Sequence, residues 1–314
     1  MTKAAWEIHR YPHPACRKLR EALSRKWDLP PEQIVVANGG DNLITLLAQV
    51  MLGPGQVAVV PAVTFATYEI ASRLSGARVE KVPMNGPAVD VEAMARALMG
   101  GARLAFVANP NNPTGTLLTA SEVERLVAAV PDGSAIVIDE AYAEFVSRPD
   151  FADGPALVRQ GAPVVVLRTF SKIYGLAGLR VGYALAPRPI ADAMWQAREA
   201  FATSRVAEAA ALAALEDEAH VQRTLDMVAR GRRQLYEMLD GMGLTYVPSE
   251  ANFVWVRTGV PSDELVPALA GRGVLVRPGD FWGQPEYIRV TVGTPAQNRR
   301  FVEALQEALR ELSA

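Results

Sequence analysis

The chain is poor in cysteine, in histidine and in net charge. Among its 314 residues there is one cysteine, Cys16. A lone cysteine closes no internal disulfide and builds no cysteine-rich zinc site, which points to a reducing, cytoplasmic setting. The three histidines, His9, His13 and His220, are not spaced as a catalytic triad or a metal cluster. No metal site is expected, and His220, in an acidic helix-breaking stretch, is expected at solvent with no chemistry assigned to it. Lys and Arg total 32 against 34 Asp and Glu, a net charge of −2. A general nucleic-acid binder carries a basic excess, so no nucleic-acid partner is expected. No apolar run approaches the ~18 residues that a membrane span needs. The opening MTKAAWEIHRYPHP contains Lys3, Glu7 and Arg10 and has no apolar core of signal-peptide length. Internal repeats and low-complexity linkers are also missing.

What is present reads as a globular enzyme. Half the residues are hydrophobic and 21% are charged, which excludes an extended disordered chain. At roughly 100–200 residues per domain the length suggests two domains or one large α/β unit. Short apolar runs bounded by Gly, Pro, Asn or Asp predict strands at Ile34–Ala37, Gln56–Val60, Arg78–Val82, Leu104–Ala108, Ala135–Asp139, Val164–Arg168 and Val181–Ala186. Helical patterns fall between most of them, at Asp41–Leu52, Val89–Leu98 and Ser121–Val130. Continuously apolar strands alternating with helices predict an α/β fold with a mostly parallel seven-stranded sheet covered on both faces.

After Pro187 the pattern becomes α+β. Helices are expected over Ile190–Phe201 and Val206–Leu239, with a break near Asp217–His220. Then come a strand at Asn252–Arg257, a helix at Ser262–Gly271, strands at Val274–Arg277 and Tyr287–Val292, and a last helix from Pro295 to about Leu312. The expected division is a large domain over residues 28–231 and a smaller α+β domain over 232–314. Residues 1–27 are expected to pack on the smaller one.

In open α/β sheets, ligands bind beyond the carboxyl ends of the strands. The unusual residues of this chain recur there. Asn38-Gly39-Gly40-Asp41 follows the first strand and Thr64-Phe65 the second. Asn109-Pro-Asn-Asn-Pro-Thr-Gly115 follows the fourth, Asp139-Glu-Ala-Tyr142 ends the fifth, and Thr169-Phe-Ser-Lys172 follows the sixth. Each segment alone has an ordinary explanation as a turn, a solvent loop or a helix cap. Together they place one site at one edge of the sheet.

The run Thr169-Phe-Ser-Lys-Ile-Tyr-Gly-Leu-Ala-Gly-Leu-Arg180-Val-Gly-Tyr183 resembles the cofactor-lysine segment of fold-type-I pyridoxal-phosphate aminotransferases. NPNNPTG and DEAY support this in the expected order. YPHP at Tyr11–Pro14 and IRVTVGT at Ile288–Thr294 are similar to the histidinol-phosphate aminotransferase branch. The resemblance runs from Tyr11 to about Arg299, and it implies pyridoxal 5'-phosphate as cofactor and an amino donor and a 2-oxo acid as substrates.

On that resemblance Lys172 holds the cofactor's aldehyde and then moves the proton of the substrate. Asp139 stabilises the protonated ring nitrogen, and a buried carboxylate there needs a cationic partner. Asn112 and Tyr142 donate to the ring's phenolic oxygen; spacing alone does not choose between Asn111 and Asn112. Gly39, Gly40, Asp41, Thr169, Ser171 and Arg180 form the phosphate site. Small residues at a helix N-terminus admit an anion there, and a planar guanidinium pairs with its oxygens. Phe65 stacks on the ring. Tyr11 reaches the phosphate of a neighbouring subunit, which implies a homodimer. Arg289 grips a substrate carboxylate, with Arg277 as second candidate.

Relatives generally carry a longer arm before YPxP, with an Asn-x-Asn-Pro-like motif that helps close the site. Here ten residues precede Tyr11 and the motif is missing. An abbreviated member and a start that lies further upstream are both compatible with this. Within the fold, a lyase similar to threonine-phosphate decarboxylase and an aromatic aminotransferase keep the same Lys172, Asp139 and Arg180. A nicotinamide-binding enzyme would need a Gly-x-Gly-x-x-Gly turn, which Asn38-Gly-Gly-Asp-Asn-Leu does not supply. A cofactor-binding transcription regulator would need an additional DNA-binding domain, for which the chain has no residues to spare.

Overall fold

The computed structural model describes residues 2–312. The chain opens with α1 (Thr2–Ala5) and α2 (Arg17–Trp27) and enters the sheet at β1 (Ile34–Ala37). Then follow α3 (Gly39–Met51), β2 (Val57–Pro61), α4 (Thr67–Leu74), β3 (Arg78–Val82) and a small hairpin of β4 (Met84–Asn85) and β5 (Ala88–Val89). Next come α5 (Val91–Met99), β6 (Leu104–Ala108), α6 (Ala120–Ala128), β7 (Ala135–Asp139), α7 (Gly154–Arg159), β8 (Val164–Thr169) and β9 (Gly182–Leu185). Helices α8 (Arg188–Ala197), α9 (Arg205–Glu216) and α10 (Glu218–Gly241) lead to β10 (Thr245–Val247) and β11 (Phe253–Arg257). The chain closes with α11 (Ser262–Gly271), β12 (Arg277–Pro278), β13 (Tyr287–Thr291) and α12 (Pro295–Leu312).

The main sheet has seven strands in the order β1-β9-β8-β7-β6-β2-β3. Only β9 runs against its neighbours, antiparallel to both β1 and β8. All seven expected strands are present within a residue or two. The central residues of β1, β6, β7 and β8 are buried on both faces, as continuous apolar runs require, whereas the edge strand β3 (Arg78–Val82) is largely exposed. Alternation along each strand divides the core in two. Val35, Ala37, Phe106, Val137 and Leu167 pack with α3, α4 and α8 residues on one face. Ile34, Val36, Val107, Ile138 and Val166 pack with α2, α5 and α6 residues on the other.

The second sheet has the order β10-β11-β13-β12. The expected strand at Val274–Arg277 shrinks to Arg277–Pro278. Helix α10 runs unbroken through residue 232, so the expected boundary falls inside an element. The expected break before it is present. Asp217 ends α9 and its carboxylate accepts from the His220 backbone N–H to start α10.

The placement of residues 1–27 requires a correction. Over the described residues 2–27 the main contacts are with the large sheet and its helices rather than with the C-terminal sheet. Helix α2 packs on β1 and α9, and α1 on α9. Cys16, Leu19 and Leu23 form an apolar stripe that joins Ile34 and Val36 in the core. Trp27 Nε1 donates to Tyr183 Oη at 3.0 Å, which ties the end of α2 to β9.

Candidate active site

A cavity of about 240 Å³ opens at the carboxyl ends of the parallel strands. Period-2 alternation explains which side chains reach it. Asp139 and Thr169 continue the parity of Val137 and Leu167, so they face the cavity side of the sheet. Five segments far apart in sequence contribute Gly40, Asp41, Phe65, Asn112, Asp139, Tyr142, Thr169, Ser171, Lys172 and Arg180, and Arg289 arrives from the second sheet.

Asp139 is the half-buried acid of this cavity. Its Oδ2 accepts from Tyr68 Oη at 2.7 Å and its Oδ1 from the Ala141 N–H at 3.0 Å. Burial raises its carboxyl above the ordinary range, against the opposing pull of these bonds and of the Lys172 charge. Tyr68 is held flat on Phe106, with centroids 5.0 Å apart, and edge-on to Phe65 at 5.6 Å. The Lys172 ammonium lies 5.2 Å from the Tyr142 ring centroid.

The anion-binding corner lies where α3 begins. Gly39 has φ +82°, and a Cβ there would sit 2.8 Å from an Arg180 guanidinium nitrogen. The positive φ favours glycine at this helix start, and the guanidinium lies in the space a side chain would enter. Arg180, itself left-handed at φ 51°, donates to Asp41 Oδ2 at 2.9 Å. Thr169 Oγ1 accepts from the Ser171 N–H at 3.0 Å. The backbone amides of a helix start, two hydroxyls and a guanidinium thus share one corner.

On the opposite wall Asn112 lines the cavity and Asn111 does not. Asn111 is consumed in holding its loop: Oδ1 accepts from Thr64 Oγ1, and Nδ2 donates to the Val63 carbonyl and to Thr114 Oγ1, all within 2.9–3.0 Å. Asn112 lines the cavity, and its Oδ1 accepts from Arg289. The Arg289 guanidinium lies over the rings of Phe253 at 5.1 Å and Trp282 at 5.6 Å. Its Nε has no partner, and burial lowers its pKa. A half-buried guanidinium bound to a neutral amide keeps its charge available to an anion.

Two expected residues are elsewhere. Arg277 is exposed, stacks on Phe281 at 4.2 Å and does not line the cavity. Tyr11 is 79% exposed and packs on Phe201, outside this chain's own cavity. His220 is half-buried rather than at solvent, with Nε2 3.2 Å from the Ile173 carbonyl beside Lys172. Sequence reasoning missed Tyr68 and the aromatic box of Phe253 and Trp282. An aromatic three residues past Phe65 was the available signal for Tyr68.

This geometry has relatives. The model of the family "Aminotransferase class I and II" matches residues 2–305. The chain belongs to this family. It is 46% identical over 305 residues to a histidinol-phosphate aminotransferase of Symbiobacterium thermophilum, covering 97% of this chain and 84% of that protein. It is 42% identical to that of Moorella thermoacetica, covering 98% and 80%. Among solved structures, the histidinol-phosphate aminotransferase of Sinorhizobium meliloti in complex with pyridoxal-5'-phosphate superposes with a TM-score of 0.92 at 30% identity, covering 99% and 86%. Both the fold and the enzyme class expected from the sequence are thereby established. Among the described residues no group of three or more His, Cys, Asp or Glu could hold a metal ion, and no helix is long and apolar enough to cross a membrane.

Proposed function

We propose that this aminotransferase uses pyridoxal 5'-phosphate to move the amino group of histidinol phosphate to 2-oxoglutarate, one product leaving before the second substrate binds. The observation that carries the reading is the donor set of the cavity. Asp139 is a half-buried carboxylate at the cavity floor whose hydrogen-bond partners, Tyr68 and the Ala141 N–H, are both uncharged. An acid in this state calls for a cation, which the protonated ring nitrogen supplies. Gly39, Thr169, Ser171 and Arg180 hold the phosphate, and Asn112 and Tyr142 reach the phenolic oxygen. When bound, the cofactor supplies an electron-withdrawing ring that acidifies the substrate's Cα–H.

The remaining work falls to the chain. Lys172 Nζ takes the proton from Cα and returns it on the far side of the transfer. Asp139 holds the ring charged, which requires that its own carboxyl stay ionised; Tyr68 and the Ala141 amide oppose the effect of burial. Arg289 binds the carboxylate of glutamate or 2-oxoglutarate, and the same charge serves the phosphate of histidinol phosphate. We infer a cytoplasmic homodimer in which Tyr11 completes the neighbouring site. Supporting this, Trp6, Ile8 and Tyr11 expose 80%, 74% and 79% of their surface along one segment.

Replacing Lys172 tests the reading. Lys172→Ala is expected to fold, to bind pyridoxal phosphate more weakly and to lose turnover by a factor of at least ~10⁴, the upper range for a general base. Transamination at the wild-type rate in that variant removes Lys172 from the chemistry.

A further inference from the structure

The cavity accounts for Asp139 and Thr169 but leaves their neighbours Glu140 and Arg168 without a role. Both are buried, and although Arg168 forms part of the cavity wall, its guanidinium and the Glu140 carboxylate meet on the opposite face of the sheet. In β7, Ile136 and Ile138 point to that face, and Glu140 continues their parity. In β8, Val164 and Val166 do the same, followed by Arg168. The parallel register places Asp139 opposite Leu167, and the Glu140 N–H donates to the Leu167 carbonyl at 2.9 Å. Glu140 and Arg168 are therefore neighbours on adjacent strands, directly behind the two residues that line the site.

Their contacts are specific. Arg168 Nε donates to Glu140 Oε2 at 2.7 Å. Arg168 NH1 donates to Glu144 Oε1 at 3.1 Å. Residues 140 and 144 bracket Ala141 and Tyr142. One guanidinium thus grips both ends of the stretch that carries the phenolic-oxygen donor Tyr142 and begins one residue after Asp139, and it stands immediately before Thr169-Phe-Ser-Lys172. The Trp27 indole covers it, with the guanidinium carbon 4.8 Å from the ring centroid. On the other side Gly154 leaves space for the acid; a Cβ there would lie 2.2 Å from Glu140 Oε1.

Stability does not explain this arrangement. Glu140 Oε1 has no hydrogen-bond partner, and burial raises the Glu140 carboxyl to about 7 in spite of Arg168. Glu144 and Asp153, also facing it, push the same way. An apolar pair of equal volume would serve stability as well or better. What the ion pair adds is a fixed, directional link between two strand ends.

We propose that Arg168, with Glu140 and Glu144, is a positioning clamp that sets the distance between the Asp139–Tyr142 segment and the Lys172 segment from behind the sheet. This rests on the reading that the cavity holds pyridoxal phosphate. The test compares wild type with Glu140→Gln, which keeps the volume and loses the charge. Three quantities are measured: pyridoxal phosphate affinity by titration of the cofactor-free chain, kcat and KM, and the melting temperature without cofactor. The clamp predicts a Kd for the cofactor about tenfold higher and a kcat about tenfold lower, with KM for both substrates within about twofold. If Glu140→Gln does not fold, Arg168→Lys carries the same prediction, because it keeps the charge and loses the fork. A lower melting temperature with unchanged Kd and kcat makes the pair a packing feature and overturns the clamp. A wild-type chain that binds no pyridoxal phosphate overturns the cofactor reading, and the clamp with it. Wild-type binding alongside an unperturbed variant overturns the clamp alone.

Discussion

Tyr68→Phe removes one oxygen atom and tests how Asp139 is kept ionised. The hydroxyl donates to Asp139 Oδ2 at 2.7 Å, and the ring is fixed independently by stacking on Phe106 at 5.0 Å. The variant therefore keeps its packing and loses one of two hydrogen bonds to a half-buried carboxylate. A hydrogen bond to a charged group contributes about 1.5–3 kcal/mol. Burial already raises the Asp139 carboxyl, and the Tyr68 bond is the largest opposing influence. Its loss moves that carboxyl further up. A carboxyl raised in the folded state contributes stability that is fully present below its unfolded value near 4 and is lost as pH rises through the folded value. The cofactor-free variant is therefore expected to be less stable than wild type at pH 7, with a smaller deficit near pH 4. In the loaded enzyme the same loss weakens the hold on the ring nitrogen, and kcat/KM falls roughly 10- to 100-fold, following about 1.4 kcal/mol per decade. The assay is steady-state kinetics at pH 7.5, with denaturant unfolding of the cofactor-free chain at both pH values. A kcat/KM within twofold of wild type, or a stability deficit that is constant with pH, refutes the reasoning.

Two further outcomes follow from the same geometry. Gly39→Ala places a Cβ 2.8 Å from the Arg180 guanidinium at a φ of +82°, a strain of about 1–2 kcal/mol, and titration should show pyridoxal phosphate affinity reduced about tenfold. Cys16 is buried, and burial first, then Glu208, raises its thiol to about 11 from the ordinary 9.0. A disulfide-exchange reagent at pH 8 should label it only after denaturation. Because the unfolded thiol ionises first, the native chain should also lose ~2–3 kcal/mol relative to Cys16→Ala as pH rises from about 9 to about 11.

Most strands were legible because they are buried on both faces and so read as unbroken apolar runs; β1, β6 and β7 match residue for residue, as does β3, the exposed edge strand Arg78-Val-Glu-Lys-Val82, which its alternation and flanking turn residues mark instead. The cavity was legible because its residue types are costly where they stand. A carboxylate at the end of Ala-Ile-Val-Ile-Asp139 and a lysine just past Val164–Thr169 have few inexpensive explanations. Helix α4 was not legible. It is eight residues long, begins one residue after Ala66 with no side-chain cap, and mixes Glu69, Ser72 and Arg73 with its apolar positions. Tyr68 was lost with it. The N-terminal segment was misplaced because a stripe of Cys16, Leu19 and Leu23 shows that a face is buried without showing which sheet buries it. Arg277 and Arg289 occupy paired positions on adjacent strands, and only packing around Phe253, Trp282 and Phe281 separates the one in the cavity from the one at the surface.

The most direct test is a single-turnover experiment on the chain loaded with pyridoxal phosphate. L-histidinol phosphate is added without an oxo acid, and the visible absorbance of the bound cofactor is followed. The account predicts conversion to the amine form of the cofactor with release of one ketone product per site, reversed by 2-oxoglutarate with formation of one glutamate. An absorbance typical of bound cofactor that does not respond to histidinol phosphate, or that responds with release of carbon dioxide from another amino phosphate ester, contradicts the proposed substrate while leaving the cofactor site in place.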